Sequence, residues 1–438
     1  MIHSTFSKGG IHPAACKTTL SGIEALPLPR RAVVPLQQHI GAPARPIVAK
    51  GDSVRRGQLI AEAPYAMSAA VHAPVSGTVA ALEDALMPDG RRRPCIVITA
   101  DEATHDADET ERMRYWLAID SMATPDVDAD TIKRRVARAG IVGMGGATFP
   151  SAIKLAPRDK VDLLIINGCE CEPFLTCDDA LMRAYPAKII AGVQMMMKAT
   201  AIDRAVIAIE DNKPEAAAAL AAHAVSAAGV EVKILRTKYP QGGERQLIDA
   251  VSGRKVPSGA IPSAVGVIVH NVATAFAVWQ AVSTDMPLIE RVISISGDIP
   301  ADQRRNYRAA IGTPFAEIPF TLPPDADTKI ILGGPMMGKC TVTLDAPVTK
   351  GTSGITVLTD ARRQPLMPCI RCGACVDACP MGLEPYLLET YGRLRRWDDA
   401  RAADVADCIE CGSCSWSCPS RRPLLDYIRR AKNRCRQR

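Results

Sequence analysis

Two short cysteine runs constrain this chain more than any other feature: Cys369, Cys372, Cys375 and Cys379 before Pro380, and Cys408, Cys411, Cys414 and Cys418 before Pro419. They use eight of the fifteen cysteines. Both read CxxCxxCxxxCP, the spacing of ligands to 4Fe-4S cubanes. Three thiols at i, i+3 and i+6 on a tight loop reach three corners of one cubane, and the fourth, beyond a turn, faces away from them. The spacing therefore predicts crossed ligand sets, Cys369, Cys372 and Cys375 with Cys418, and Cys408, Cys411 and Cys414 with Cys379. Gly373 and Gly412 stand where a small residue lets the loop close round sulfide, each proline stops the run continuing as helix, and Ile370 and Ile409 supply apolar cover. Zinc, the rival metal, calls for CxxC pairs separated by a longer loop. Disulfides need an oxidising compartment, and no secretory signal pattern opens the chain.

A two-cluster unit fills only the end of a 438-residue chain, whose length predicts about three domains. With 47% hydrophobic residues it can bury several cores. A formal charge of +6, from 53 basic and 47 acidic side chains, is too mixed for a nucleic-acid footprint. The exception is the end, Arg429, Arg430, Lys432, Arg434, Arg436 and Arg438, which reads as a solvated helix terminus or as a surface for an acidic partner or anionic membrane. No segment reads as membrane-spanning, because the most apolar stretch, 264–282, is interrupted by His270, Asn271, Thr274 and Gln280. A soluble protein, peripheral to a bilayer only through partners, is expected.

Residues 1–100 read as β-rich. IVAKGDSVRRGQLI (47–60) and VHAPVSGTVAAL (71–82) each suggest two short strands about a Gly51-Asp52 or Ser76-Gly77 turn, which is hairpin chemistry. KGDSVRRGQ and APVSGTV within them resemble phrases of the biotinyl/lipoyl hammerhead, a barrel-sandwich hybrid. Carrier domains of that kind present a lysine on the exposed hairpin. The matching stretch YAMSAA (65–70) has none, so a structural module without a covalent cofactor is expected.

A polar, acidic link (101–111) leads to DADTIKRRVARA (128–139), in which Ile132, Val136 and Ala139 share a helical face. The helix ends at Gly140 and enters the loop Gly143-Met144-Gly145-Gly146-Ala147-Thr148-Phe149-Pro150, followed by a buried-type strand, VDLLIIN (161–167). A dinucleotide fingerprint needs strand, loop, helix and a third glycine where Thr148 stands. What remains is a backbone that a planar or phosphorylated ligand can approach, or an ordinary helix-capping turn. Its neighbours favour the ligand. Asn167-Gly168-Cys169-Glu170-Cys171-Glu172-Pro173 ends the strand, where α/β sheets place ligands. Tyr239-Pro240-Gln241-Gly242-Gly243-Glu244 is a second glycine loop, and His270-Asn271-Val272-Ala273-Thr274 closes an apolar strand at 265–269.

In that order these phrases resemble GRGGAGFP, NADESEP, YICGEE and NNVET of the flavin-binding subunit of respiratory NADH dehydrogenase. VISISGDIP (292–300) and IILGGPMMG (330–338) resemble the small β-grasp, soluble-ligand-binding module that follows in that family. The whole order resembles the C-subunit family of Rnf/Rsx electron-transport complexes, down to Gly9-Gly10-Ile11-His12-Pro13 and Thr237-Lys238-Tyr239-Pro240-Gln241-Gly242. The resemblance implies a multidomain α/β and α+β fold: a hammerhead at 1–100, a Rossmann-like FMN and NADH domain at 120–285, a β-grasp module at 288–345, and an α-helical domain with two ferredoxin-type cluster loops at 360–438.

The same resemblance implies FMN against Gly143, Gly145 and Gly146, with Lys154 at its phosphate. Asn167, Glu170, Glu172, Gly242, Glu244, Asn271 and Thr274 would line ring, ribityl chain and phosphate, and Phe149 would face the nicotinamide. Gly243, His270 and Ala273 depart from the family phrases, which leaves FMN contacts better matched than NADH contacts. Glu170 and Glu172 are read as functional from their place at a strand's carboxyl end, solvated loop charges being the plain alternative. Cys169, Cys171 and Cys177 look like half a metal site but read as small buried residues, as do Cys16, Cys95, Cys340 and Cys435.

The activity implied is electron exchange between NAD(H) and FMN, then through two 4Fe-4S clusters to partner subunits of a membrane-bound complex. NADH gives a pair of electrons and a cluster takes one, so flavin is the converter. No side chain is needed as nucleophile or general base. In Rnf-type complexes the partners lead to ferredoxin and move Na⁺ or H⁺, and the chain would sit at the cytoplasmic face of the cell (inner) membrane. Two other readings are a reductase similar to cobalamin reductases, which begin at the glycine loop rather than with a hammerhead, and a non-enzymatic electron-relay subunit.

Overall fold

Leu163–Asn167 can carry four consecutive buried aliphatic side chains because strands flank it on both sides and helices cover both faces. Each such side chain contributes about 1.5–3 kcal/mol. The computed structural model describes residues 3–20, 22–87, 89–324, 327–341, 343–359 and 365–436, so Arg438 of the basic tail lies outside the described residues. In the central sheet all pairs are parallel, in the order Val230–Leu235, Ala205–Glu210, Leu163–Asn167, Val267–Asn271. That is third, second, first, fourth along the chain, one half of a doubly wound fold, and the order reverses between Leu163–Asn167 and Val267–Asn271. A crevice outside their carboxyl ends follows from that topology.

The helix expected at 128–139 runs Ala129–Arg138. Asp128 caps it by accepting from the Thr131 amide at 2.8 Å, and Ile132 and Val136 are buried. The apolar stretch 264–282 divides into a 3-10 turn (Pro262–Val265), a strand and a helix (Val272–Thr284). The strand therefore begins at Val267, two residues later than expected, because Gly266 closes the turn at φ +74°. Among the described residues no helix is long and apolar enough to cross a membrane.

The N-terminal module has two sheets, Arg31–Pro35, Arg92–Thr99, Gly77–Leu86, Ser53–Val54 and Arg45–Pro46, Leu59–Glu62, Val71–His72. The expected local hairpins are only part of the pairing: the ends of 47–60 meet, Ile47 N–H donating to the Ile60 carbonyl at 3.0 Å, but the strand between them does not pair within its own turn. Ser53–Val54 pairs with Thr78 and Gly77 across the sandwich, while Arg45–Pro46 pairs with Glu62 and Ala61. Small, closely spaced strands satisfy their backbones with the other half of the barrel, which turn chemistry alone does not reveal. The acidic link is also ordered, as the helix Glu102–Ala118. Its buried Asp108 accepts from the Ser76 amide at 2.6 Å and the Ser76 hydroxyl at 2.9 Å, and Arg112 donates to the carbonyls of Leu26 (2.6 Å) and Arg308 (2.9 Å) and to Glu290.

The hairpin tip that carries lysine in carrier domains is here a docking element. Ser68, Ala69 and Ala70 are buried, and Ala69 belongs to the core of the flavin-type domain. A Cβ on Gly140 would lie 2.1 Å from the Ala70 carbonyl oxygen, so the contact admits no side chain there.

The third module is a six-stranded mixed sheet, Glu24–Ala25, Arg305–Ala310, Glu290–Gly297, Gly354–Leu358, Lys329–Leu332, Lys339–Cys340. Gly354–Leu358 lies at its centre, beyond the expected boundary at 345, because an interior strand can arrive from any distance in sequence. Cys340, expected to be buried, is exposed on the short edge strand.

The C-terminal helices Pro385–Arg393, Trp397–Ala402 and Leu424–Arg436 pack round Leu388, Ala400, Val405, Leu424, Ile428 and Ala431. The basic end is partly turned inward: Arg429 and Lys432 reach Glu410 at 3.1 and 3.2 Å.

Candidate flavin and cluster sites

Asn167 and Asn271 sit in register at the carboxyl ends of the two strands that flank the order reversal. The Asn167 amide donates to the Gly242 carbonyl at 2.9 Å, which ties the second glycine loop to the strand end. Asn271 caps the helix Val272–Thr284 by accepting from the Ala273 amide at 2.8 Å, and its own amide donates to Asp178 at 2.6 Å. The first glycine loop closes on itself through Gly143 N–H to Phe149 O at 2.8 Å, and Met144 N–H donates to the Thr274 hydroxyl at 3.0 Å. A Cβ on Gly145 would lie 3.1 Å from the Asn271 Cβ, whereas nothing among the described residues lies within 4 Å of one on Gly146. Thr148, where a fingerprint would have glycine, holds φ +52°. Gly143, Gly145, Gly146, Asn167, Gly242, Asn271 and Thr274 are thus one constellation.

Lys154 and Glu244 are drawn together at 2.9 Å, and Lys154 also donates to the Val269 carbonyl at 3.0 Å. Its ammonium lies 6.0 Å from the centroid of the Phe149 ring. The two carboxylates turn elsewhere. Glu170 caps the helix Cys177–Ala184, accepting from the Asp178 amide at 2.8 Å and the Asp179 amide at 3.3 Å. Glu172 accepts from the amides of Met336 (3.0 Å) and Met337 (2.7 Å), and burial raises its pKa. Both therefore hold loops in place through protein partners.

Several contributors carried no sequence signal. Lys17 donates to the carbonyls of Glu170 (2.8 Å), Glu172 (2.7 Å) and Leu175, and Lys213 donates to the Cys169 carbonyl at 2.6 Å. Two lysines from distant segments thereby fix the strand-end loop. His270, noted only as a departure, is buried, and neither ring nitrogen is hydrogen-bonded among the described residues. Burial, reinforced by Lys154, lowers its pKa to about 3 and keeps it neutral. An orphaned imidazole beside a glycine loop with open space above its backbone fits a bound flavin. Cys169 and Cys177 are buried, as expected, and the Cys171 thiol accepts from the Gly242 amide at 3.4 Å.

The thiols group across the two cysteine runs. Cys379, Cys408, Cys411 and Cys414 line one cavity with Pro380, Ile409 and Leu425, and the Cys375 thiol has those of Cys418 and Cys369 near it. Burial pushes the Cys408 thiol up to about 11 and that of Cys414 to about 12. Thiolates in such a cavity need a cationic centre to offset desolvation, which fits an iron-sulfur cluster. Gly373 and Gly412 hold φ +80° and +79° at the starts of the short helices Ala374–Asp377 and Ser413–Trp416. The two groups differ in access. Cys379, Cys411 and Cys414 are buried, Cys369 and Cys372 are exposed, and Ile370, expected to cover its loop, is 66% exposed because no element among the described residues covers it.

Comparison with known proteins agrees with this layout. The Nuo51 FMN-binding domain matches residues 136–280, the RnfC barrel sandwich hybrid domain residues 5–103, and a 4Fe-4S dicluster domain residues 365–422. The chain is 42% identical to the C-subunit of the Na⁺-translocating ferredoxin:NAD⁺ oxidoreductase complex of Acetobacterium woodii, covering 98% of this chain and 97% of that one. It is 44% identical to the C-subunit of the ion-translocating oxidoreductase complex of Rhodobacter capsulatus over 89% of this chain and 75% of that one. With the C-subunit of the proton-translocating ferredoxin:NAD⁺ oxidoreductase complex of Clostridium ljungdahlii the identity is 42%, over 88% and 84%. Among solved structures, an air-oxidised NAD⁺-reducing [NiFe]-hydrogenase shares the fold at TM-score 0.51 and 20% identity, over 70% of this chain and 66% of that one. With all three domain types in one order and near-complete coverage at this identity, the chain belongs to the C-subunit family of ion-translocating oxidoreductase complexes.

Proposed function

We propose that this chain is the peripheral electron-exchange subunit of a membrane-associated ion-translocating oxidoreductase complex, working between NAD(H) and partner subunits that lead to ferredoxin, at the cytoplasmic face of the cell (inner) membrane. The observation that carries this reading is the joint presence, in one packed chain, of the glycine-lined crevice, a cavity lined by Cys379, Cys408, Cys411 and Cys414 beside it, and a second grouping of Cys375 with Cys418 and Cys369. When bound, FMN would supply the conversion between an electron pair and single electrons, and 4Fe-4S clusters would supply one-electron carriers.

The chain's own residues bind and orient these groups. Gly143, Gly145 and Gly146 leave room over the first loop, and Asn167, Gly242, Asn271 and Thr274 frame the crevice. Lys154, paired with Glu244, would meet the phosphate, and Phe149 would face the nicotinamide. Glu170 and Glu172 hold the loops that shape the site. Cys408, Cys411 and Cys414 with Cys379 hold the inner cluster, and Cys369, Cys372 and Cys375 with Cys418 the outer one. Burial of Cys379, Cys411 and Cys414 beside the crevice and exposure of Cys369 and Cys372 suggest the order crevice, inner cluster, outer cluster, partner. We assign the hammerhead to 1–100, the flavin domain to 120–285, a small β-grasp module to 288–345 with the strand Gly354–Leu358 added, and the cluster domain to 360–438.

Anaerobic reconstitution with iron, sulfide and FMN tests the reading. About eight irons and one flavin per chain are expected, with flavin bleaching on addition of NADH. Flavin that binds but does not bleach would leave the non-enzymatic relay instead.

A further inference from the structure

We infer that the N-terminal segment Gly9-Gly10-Ile11 is a strap that holds the flavin-side loop against the inner-cluster cysteine loops and so sets the rate of electron exchange between the two sites; this rests on the function proposed above. Ile11 and Tyr239 exchange both backbone hydrogen bonds at 2.9 Å, which pairs the strap with the second glycine loop. One residue earlier, Gly10 N–H donates to the Ala378 carbonyl at 3.0 Å, beside Cys379. The buried phenol of Tyr239 donates to the Cys411 carbonyl at 2.8 Å, and Ile11, Tyr239, Ala378 and Cys411 form one apolar cluster. Three residues of strap therefore join a loop whose Gly242 bonds Asn167 to the two runs that supply the inner cavity.

Gly9 makes the arrangement specific. It holds φ +64°, and a Cβ there would lie 2.4 Å from the Cys379 carbonyl oxygen and 2.8 Å from the Pro380 nitrogen. Those are backbone atoms that cannot swing aside as a side chain would, so a methyl group must lift the strap or displace the Cys379 loop. Gly51 supplies the control, since it holds φ +95° with nothing among the described residues within 4 Å of its Cβ position, so alanine there adds backbone strain without collision.

The test uses the reconstituted full chain as wild type, Gly9→Ala, Gly51→Ala and Tyr239→Phe. Amide hydrogen exchange is read over residues 237–243 and 376–383, and stopped-flow absorbance follows flavin and cluster bleaching by NADH separately. In Gly9→Ala, exchange should rise in both segments together, and cluster bleaching should slow severalfold relative to wild type, while flavin bleaching keeps its rate. Tyr239→Phe, which deletes only the hydroxyl, should raise exchange over 237–243 and slow the cluster phase to a smaller extent. Gly51→Ala should do neither. Unchanged exchange and unchanged cluster bleaching in Gly9→Ala would overturn the strap, as would an equal slowing of flavin and cluster phases. Wild-type protein whose flavin NADH cannot reduce would sink the functional reading, while the exchange data would still decide whether the strap couples the loops.

Discussion

The side-chain nitrogen of Lys350 lies 2.7 Å from the Gly140 carbonyl oxygen, at a point where all three N-terminal modules meet. It also donates to the Ala70 carbonyl at 2.6 Å, and the Lys350 backbone amide donates to the Gln38 side chain at 3.0 Å. Two acceptors suit a neutral amine, which has two N–H donors. Burial alone lowers its pKa from 10.5 to about 7, and burial likewise lowers the pKa values of His39 and His72, which feel its charge.

A pH dependence of stability follows. Between pH about 7 and 10.5 the unfolded chain keeps a proton that the folded chain has released, so stability rises with pH across that window and the full cost is present below it. The ceiling is about 5 kcal/mol at about 1.4 kcal/mol per pKa unit. Thermal unfolding midpoints of wild-type protein should therefore climb from neutral to alkaline pH, and Lys350→Met should flatten the climb. Parallel profiles for the two proteins would refute the assignment.

Lys17 sets a second prediction. Its ammonium serves the carbonyls of Glu170, Glu172 and Leu175, so Lys17→Met strands three acceptors in the loop that ends Leu163–Asn167. An unsatisfied buried group costs about 1–3 kcal/mol, and partial rehydration of the loop should leave a net loss of about 2–3 kcal/mol. The loop frames the crevice, so the FMN dissociation constant should rise at least about tenfold, following 1.4 kcal/mol per decade. Flavin fluorescence quenching measures it, and unchanged affinity would show that Lys17 supports stability alone.

Gly145 separates ligand space from fold. A methyl group at Gly145 would press on Asn271 at 3.1 Å, and Asn271 caps Val272–Thr284 and anchors Asp178. Gly145→Ala should cut flavin occupancy sharply while iron content per chain stays at the wild-type level, because the cysteine loops lie on other elements. Equal loss of flavin and iron in anaerobically prepared protein would mean that the substitution unfolds the domain instead.

The elements that were legible in the sequence are those whose chemistry is local. Asp128 as a cap, Ile132 and Val136 on one face, the strand ending at Asn167 and the cysteine spacing all depend on neighbours within a few residues. What was hidden depends on partners far along the chain. Ser53–Val54 pairs with Gly77 and Thr78 rather than within its own turn, Lys17 finds carbonyls some 150 residues away, and Tyr239 finds Cys411. Glu170 was legible as a residue near the site, but its role as a helix cap is set by the short Cys177–Ala184 helix, whose start the sequence did not mark.

Cys379 and Cys372 lie in one run, yet Cys379 shares a cavity with Cys408, Cys411 and Cys414. This juxtaposition predicts how a double variant behaves. If the fourth cysteine of each run crosses over, Cys372→Ser removes a ligand from the outer cluster and Cys379→Ser one from the inner, so the pair together damages both sites. If each run held its own cluster, both substitutions would fall on one site and the other would remain whole. Iron analysis and electron paramagnetic resonance of the reduced, anaerobically reconstituted protein distinguish these outcomes. The crossed arrangement requires about four irons in each single variant and a near-complete loss of native cluster signals in the double, whereas about four irons and one intact signal in the double would establish the uncrossed one. Serine is chosen because it keeps the side-chain volume close to that of cysteine while binding iron far more weakly than thiolate does, so the loops keep their packing and the change reports ligation.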